Sequence, residues 1–287
     1  MSLILALLLQ VGPNPLSGGL PDDALVRDRP ARAGVPTEEG NASSAWLEQC
    51  FSQIAEDPAR AHTMAQIRRS ETKGADRVLA NHCLGTAASE LGLWEDARTA
   101  FIAAREETPI DETRARARFA ALAGNAALAS GDAEGAIKWL IPAEADARAA
   151  DAAPLAALAA MDRARALVML GRGEEALGAL EAATTLAPER SEGWLLKATL
   201  LRRLDRLDQA QNAIERAVLL APGDAQIGLE AGVIAVLGGR NAAARASWQS
   251  VLVLAPGSPQ AIIATDYLAQ LGAAEETAPR EEESPPS

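Results

Sequence analysis

Thr185-Leu186-Ala187-Pro188, Leu219-Leu220-Ala221-Pro222 and Val253-Leu254-Ala255-Pro256 each close an Ala-rich stretch, and their prolines stand 34 residues apart. A fixed period of this length marks stacked supersecondary units. One such unit cannot bury its apolar face alone, so neighbours stack and the chain becomes a solenoid. Composition agrees with helix-on-helix packing. Of the 287 residues 48% are hydrophobic but only 3% aromatic, and much of the remainder is alanine.

With the closing proline numbered position 32, three regular units span 157–190, 191–224 and 225–258. Two more copies, 78–111 and 117–150, precede them with short insertions between. Position 20 is alanine throughout (Ala97, Ala136, Ala176, Ala210, Ala244), and position 8 is Gly85, Gly124, Ala164, Ala198 and Gly232. Small residues recur where helices must approach closely, because a larger side chain there would overpack the contact by about 1–3 kcal/mol. Position 24 is bulky: Phe101, Leu140, Leu180, Ile214 and Trp248. Position 15 carries Gly92, Gly131, Gly171, Asp205 and Gly239, at the turn from first to second helix, where glycine enters the left-handed region without a Cβ clash. The closing proline stops the second helix. Arg148 replaces it in the second copy, which predicts a longer helix there.

The spacing of Gly, aromatic and Pro resembles the tetratricopeptide repeat (TPR) family. Leu84, Gly85, Gly92, Trp94, Ala97, Phe101, Ala104 and Pro109 carry the resemblance in one unit, and Trp194, Leu207, Ala210, Ala217 and Pro222 in another. It covers residues 78–256, with a degenerate half-repeat or cap at 43–77. The resemblance implies an all-α, right-handed α-solenoid of helix-turn-helix repeats. Residues 259–274 read as a capping helix, with Ile262 and Ile263 among its apolar contacts and Asp266 where stacking would demand a small residue. The acidic, Pro-rich tail 275–287 is expected to be disordered.

In the TPR family the first helix of each hairpin lines the concave surface, mostly through positions 2, 5, 9 and 12. Carried over, the groove candidates are His82, Thr86, Arg118, Asn125, Leu128, Met161, Arg165, Leu195, Thr199, Arg202, Leu229 and Val233. Such a lining suits an extended peptide or a helix with one apolar face, and the arginines could grip carboxylates or serve as ordinary surface groups. Asn125 and Arg165 match the family's dicarboxylate clamp, but His82 and Met161 stand where its lysines would be, so that activity is not expected. At position 7, Arg163 and Lys197 are expected to pack their stems and carry their charges to water.

No nucleophile, metal or phosphate motif occurs, and no catalytic residue, metal site or cofactor is expected. The two histidines, His62 and His82, read as groove-lining or surface groups; Glu106-Glu107 and Glu174-Glu175 read as helix-end charges set by capping and dipole effects. A net charge of −12 argues against nucleic acid as the main partner. The expected partner is a protein or peptide.

The apolar run Leu3–Val11 is too short to span a bilayer and resembles the core of a secretory signal peptide within residues 1–19, with Ser17-Gly18-Gly19 as a small-residue cleavage site. No basic residue precedes the run, and a cytosolic tail is the alternative. Residues 20–42 read as a flexible linker. Cys50 and Cys83, nearly one repeat apart, fall at similar heights on neighbouring first helices, so a disulfide is feasible; two buried inert thiols are the other reading. The bridge and the signal-like start point together to a periplasmic protein, and the Ala-, Gly- and Arg-rich composition to a bacterial source. The expected function is thus a non-enzymatic envelope scaffold, with a cytosolic adaptor or a self-associating solenoid as alternatives.

Overall fold

Residues 38–277 are described by the computed structural model, and every regular element among them is an α-helix. The first hairpin is α1 (Glu38–Glu56) and α2 (Pro58–Glu71). Next come α3 (Ala75–Glu90) with α4 (Trp94–Glu107), α5 (Thr113–Ala129) with α6 (Ala133–Ala149), and α7 (Ala153–Met169) with α8 (Gly173–Leu186). The last hairpins are α9 (Ser191–Arg203) with α10 (Leu207–Leu220) and α11 (Ala225–Leu237) with α12 (Asn241–Leu254), followed by α13 (Pro259–Thr277). The proposed signal segment 1–19 lies outside the described residues, as do most of the linker and the tail beyond Thr277. Helix α1 begins inside the stretch read as linker, and α13 runs to Thr277, past the expected cap boundary.

Two details depart from the sequence reading. Residues 43–77 hold two helices rather than half a repeat. Asp57 separates them: its carboxylate accepts from the backbone N–H of Arg60 at 3.0 Å, and Pro58 occupies the first turn of α2. That is a helix start with a fixed φ and a side-chain cap. The insertions between the early units are helical: α5 and α7 start at Thr113 and Ala153 and reach 17 residues, against 13 for α9 and α11. Helix α6, with Arg148 in place of the closing proline, also runs to 17 residues, against 14 for α4, and continues through Pro142.

The turn inside each full hairpin is left-handed at position 15. Gly92, Gly131, Gly171 and Gly239 have φ between +71° and +82°, and Asp205 holds the same place at +59°. Beneath the turn the helices close on a small-against-large contact. A Cβ on Gly85 would lie 2.6 Å from the Phe101 ring, and one on Gly124 would lie 2.6 Å from Leu140. On Gly232 it would overlap the Trp248 indole, which donates to the carbonyl of Leu229 at 3.1 Å.

Packing divides the chain into two units, the boundary falling inside α8 between Ala179 and Leu180. In the first, α1 to α7 each pack on the next, and the first helices α1–α3 and α5–α7 also touch. Its core is alanine-rich, with Ile54, Leu84, Phe101, Phe119 and Leu140 as the large buried groups. Cys50 and Cys83, both fully buried, form a disulfide between α1 and α3 with their Cα atoms 6.3 Å apart. In the second, α9 to α13 pack in sequence and α9, α11 and α13 meet side by side, around Ile214, Ile227, Ile234, Trp248 and Tyr267. Tyr267 lies 5.2 Å from Trp248, centroid to centroid, so α13 covers the end of the last hairpin; Ile262, read above as an apolar contact, instead points to solvent because no further helix follows α13 among the described residues.

The close approach predicts a contrast between glycines. Gly232→Ala must displace a hydrogen-bonded indole and is expected to destabilise by about 1–3 kcal/mol. Gly178→Ala, exposed in α8 with nothing within 4 Å of its added carbon, is expected to stabilise by about 0.5–1 kcal/mol. Urea melts of both variants measure the difference.

Candidate protein-binding surface

The first helices carry the candidate positions, and their side-by-side packing decides which remain accessible. Seven of the twelve candidates are buried: His82, Met161, Leu195, Thr199, Arg202, Leu229 and Val233. The position 5 candidates His82, Met161, Leu195 and Leu229 are all buried, and so are Thr199 and Val233 at position 9 and Arg202 at position 12, so these side chains are core rather than lining.

His82 is the clearest correction to a groove or surface role. It is 5% exposed and lies edge-on between Phe51 and Phe119, with centroids 5.2 and 5.3 Å away. The three rings join α1, α3 and α5 next to the disulfide. Burial, and secondarily the charge of Arg118, pushes the imidazole down to about 3, so it is neutral at ordinary pH. One residue earlier, Asn81 is also buried, with no protein partner on either amide atom. An unpaired buried amide costs about 1–3 kcal/mol.

Arg202 does not face a guest either. Its Nε donates to Glu230 Oε1 at 2.7 Å and its Nη2 to Oε2 at 3.4 Å, joining α9 to α11, with side chains only 6% and 8% exposed. This pair already supplies the carboxylate that a groove arginine would take from a ligand. Breaking it would leave a buried charge, the costly case for such pairs.

Five candidates keep solvent access, all in the N-terminal unit: Asn125 is exposed, and Thr86, Arg118, Leu128 and Arg165 are half-buried. They lie on α3, α5 and α7. Thr86 donates its hydroxyl to the carbonyl of His82 at 3.0 Å, and Arg165 is held by Asp162 one turn earlier. The strip therefore presents an amide, an aliphatic side chain and two guanidinium groups.

Other charged groups serve the scaffold. Glu107 ends α4, where a helix dipole disfavours an acid; Arg77 of α3 accounts for it by donating to Glu107 at 2.7 Å. Glu175 in the first turn of α8 takes two hydrogen bonds from Arg172, which hold its carboxyl below the usual range. Asp132 caps α6 by accepting from Gly135 N–H at 2.8 Å and also receives Arg98; both hold its carboxyl low. Arg163 donates twice to Glu144 rather than reaching water alone, and Lys197 sits 5.6 Å from the Trp194 ring. Among the described residues no cluster of three or more His, Cys, Asp or Glu could hold a metal ion, and no helix is long and apolar enough to cross a membrane.

The repeat geometry has counterparts elsewhere. A tetratricopeptide-repeat family model matches residues 84–140 and 195–259. Both segments carry tetratricopeptide repeats. The chain's all-α TPR solenoid is similar to the structure of PilF from Pseudomonas aeruginosa (TM-score 0.62, 15% identity), covering 82% of this chain and 100% of that one. It is also similar to MamA residues 41 to the end from Desulfovibrio magneticus RS-1 (TM-score 0.53, 17% identity, 64% of this chain and 99% of that one). A third is BtubC (BKLC) from P. vanneervenii (TM-score 0.51, 15% identity, 86% and 94%). At these identities the likeness concerns the fold. No curated protein matches the sequence. The TPR fold supports a protein–protein interaction scaffold.

The neutral, buried His82 predicts acid sensitivity. Its folded value lies below the unfolded 6.5, so the unfolded chain binds more protons, and stability falls as pH drops from 6.5 toward 3. Between pH 6 and 5, above the ordinary carboxylate range, the loss should approach about 1.4 kcal/mol per pH unit. His82→Phe keeps a ring between Phe51 and Phe119 and should flatten that slope in denaturant melts. An unchanged slope would assign the acid sensitivity to other groups.

Proposed function

We infer that this TPR protein is a non-catalytic scaffold that binds a segment of another protein along α3, α5 and α7, in a bacterial cell envelope. One observation carries the choice of surface. At positions 9 and 12 Thr86, Asn125, Arg165 and Leu128 keep solvent access, whereas the C-terminal candidates at those positions, Thr199, Val233 and Arg202, are buried. A preformed strip of this kind binds with little rearrangement, and so without the ordering cost that weakens flexible sites. Its exposed Asn125 amide beside the Leu128 side chain suits a guest segment that offers hydrogen-bonding groups next to an apolar residue. TPR proteins are generally non-catalytic scaffolds, which supports reading the polar residues as recognition groups.

The test compares Asn125→Glu/Leu128→Glu with Thr99→Glu on the second helix α4, by cross-linking and capture from envelope extract. The α5 pair is expected to lower recovery of a cross-linked partner tenfold or more, about 1.4 kcal/mol or above, while Thr99→Glu leaves it intact. Equal recovery by both variants would remove α5 as the contact surface.

Placement in the envelope draws support from the Cys50–Cys83 bridge, since disulfides persist in oxidising compartments, and from the apolar start Leu3–Val11. N-terminal sequencing of the protein from its native host is expected to begin at Leu20, after Ser17-Gly18-Gly19. A chain that retains its first residues would favour the cytosolic adaptor.

A further inference from the structure

The C-terminal unit exposes apolar side chains that its own repeat pattern does not call for. At position 29 the first three units carry Glu106, Ala145 and Thr185, whereas the last two carry Leu219 and Val253. Position 30 changes one unit earlier, from Glu107 and Asp146 in the first two units to Leu186, Leu220 and Leu254 in the last three. Leu219 is 74% exposed, Val253 78%, Ile262 62% and Leu254 55%. The same register in the N-terminal unit shows that a TPR hairpin folds with polar or small residues there. These side chains are therefore not a by-product of hairpin packing.

The charge pattern points the same way. Charged residues make up 23% of the chain, yet 246–265 contain none, although the stretch covers most of α12, an exposed turn and the start of α13. No Lys or Arg occurs between Ala246 and Thr277. On a chain of net charge −12 this is an uncharged stretch around exposed Val253 and Leu254. Exposed apolar clusters rimmed by polar groups mark interaction sites.

We propose that this end of the C-terminal unit is a self-association surface, occupied by the same surface of a second copy of the chain. Two copies, each carrying −12, repel one another over charged faces, and around Val253 and Leu254 they can meet with few like charges opposed. A two-fold contact places the same patch on both sides, so apolar meets apolar and uncharged rim meets uncharged rim. A standard interface needs about 800 Å² from each partner. The exposed Leu, Val and Ile groups supply its centre, and Gln249, Ser250, Pro256 and Ser258 its rim. A membrane-surface site would instead flank its apolar face with Lys or Arg, which this stretch lacks.

Sedimentation of the full chain over a wide concentration range tests the proposal. A monomer–dimer equilibrium is expected, strengthened by salt because screening weakens the repulsion while the apolar contact remains. Leu219→Glu/Val253→Glu should raise the dissociation constant about tenfold or more, with an unchanged thermal melt because both side chains are exposed. If that pair perturbs folding, Val253→Ser alone should still weaken the dimer measurably. A monomer at every concentration, a dimer unaffected by the substitutions, or a dimer that dissociates in salt overturns the proposal. So does binding of the wild-type chain, and not the double variant, to phosphatidylcholine vesicles, which would assign the patch to a lipid surface.

Discussion

In three of the hairpins the two helices meet where a residue without a side chain faces a large one: Gly85 against Phe101, Gly124 against Leu140, Gly232 against Trp248. The other two full units carry Ala164 and Ala198 at position 8, and Leu180 and Ile214 at position 24. This contact sets how near the two helix axes come, and the rest of each repeat follows from it. A larger group at position 8 would drive the hairpin apart. A smaller one at position 24 would leave a void that an alanine-rich core has few atoms to fill. The low aromatic content is thus consistent with a packed interior, because the helices are close enough for alanine to fill most of it.

Among the described residues no helix precedes α1, and two devices reinforce this end of the first unit. The Cys50–Cys83 bond ties α1 to α3, and the Phe51–His82–Phe119 rings extend the tie to α5. The two are adjacent in sequence, so covalent and aromatic contacts act at one level of the stack. Burying an imidazole there is compatible with folding only in its neutral form, which links the stability of this end to pH.

Charge is used differently in the two units. The N-terminal unit spreads ion pairs within a hairpin, as in Arg77–Glu107, and between consecutive hairpins, as in Arg98–Asp132 and Arg105–Asp146, all partly exposed. Such pairs contribute little each but help fix register. The C-terminal unit buries one bidentate pair, Arg202–Glu230, and leaves residues 246–265 without charge. The solvent-accessible part of the candidate surface is confined to the first of these units.

The repeat length, the hairpin turns and the small-large seams were legible in sequence, since each depends on a local requirement that recurs every 34 residues: a left-handed turn, a close approach, a helix stop. Asp57-Pro58 carries the signature of a helix start, yet the 34-residue pattern is too weak there to reveal that it divides 43–77 into the two helices of a hairpin. What tertiary structure alone decided was accessibility. Leu195, Leu229 and Val233 occupy the same repeat positions as lining residues of the family but are buried where α9, α11 and α13 pack side by side, while Asn125 stays open. Periodicity specifies which face of a helix a residue takes. It does not specify how closely the neighbouring helix covers that face, because the spacing is set by side chains more than thirty residues away.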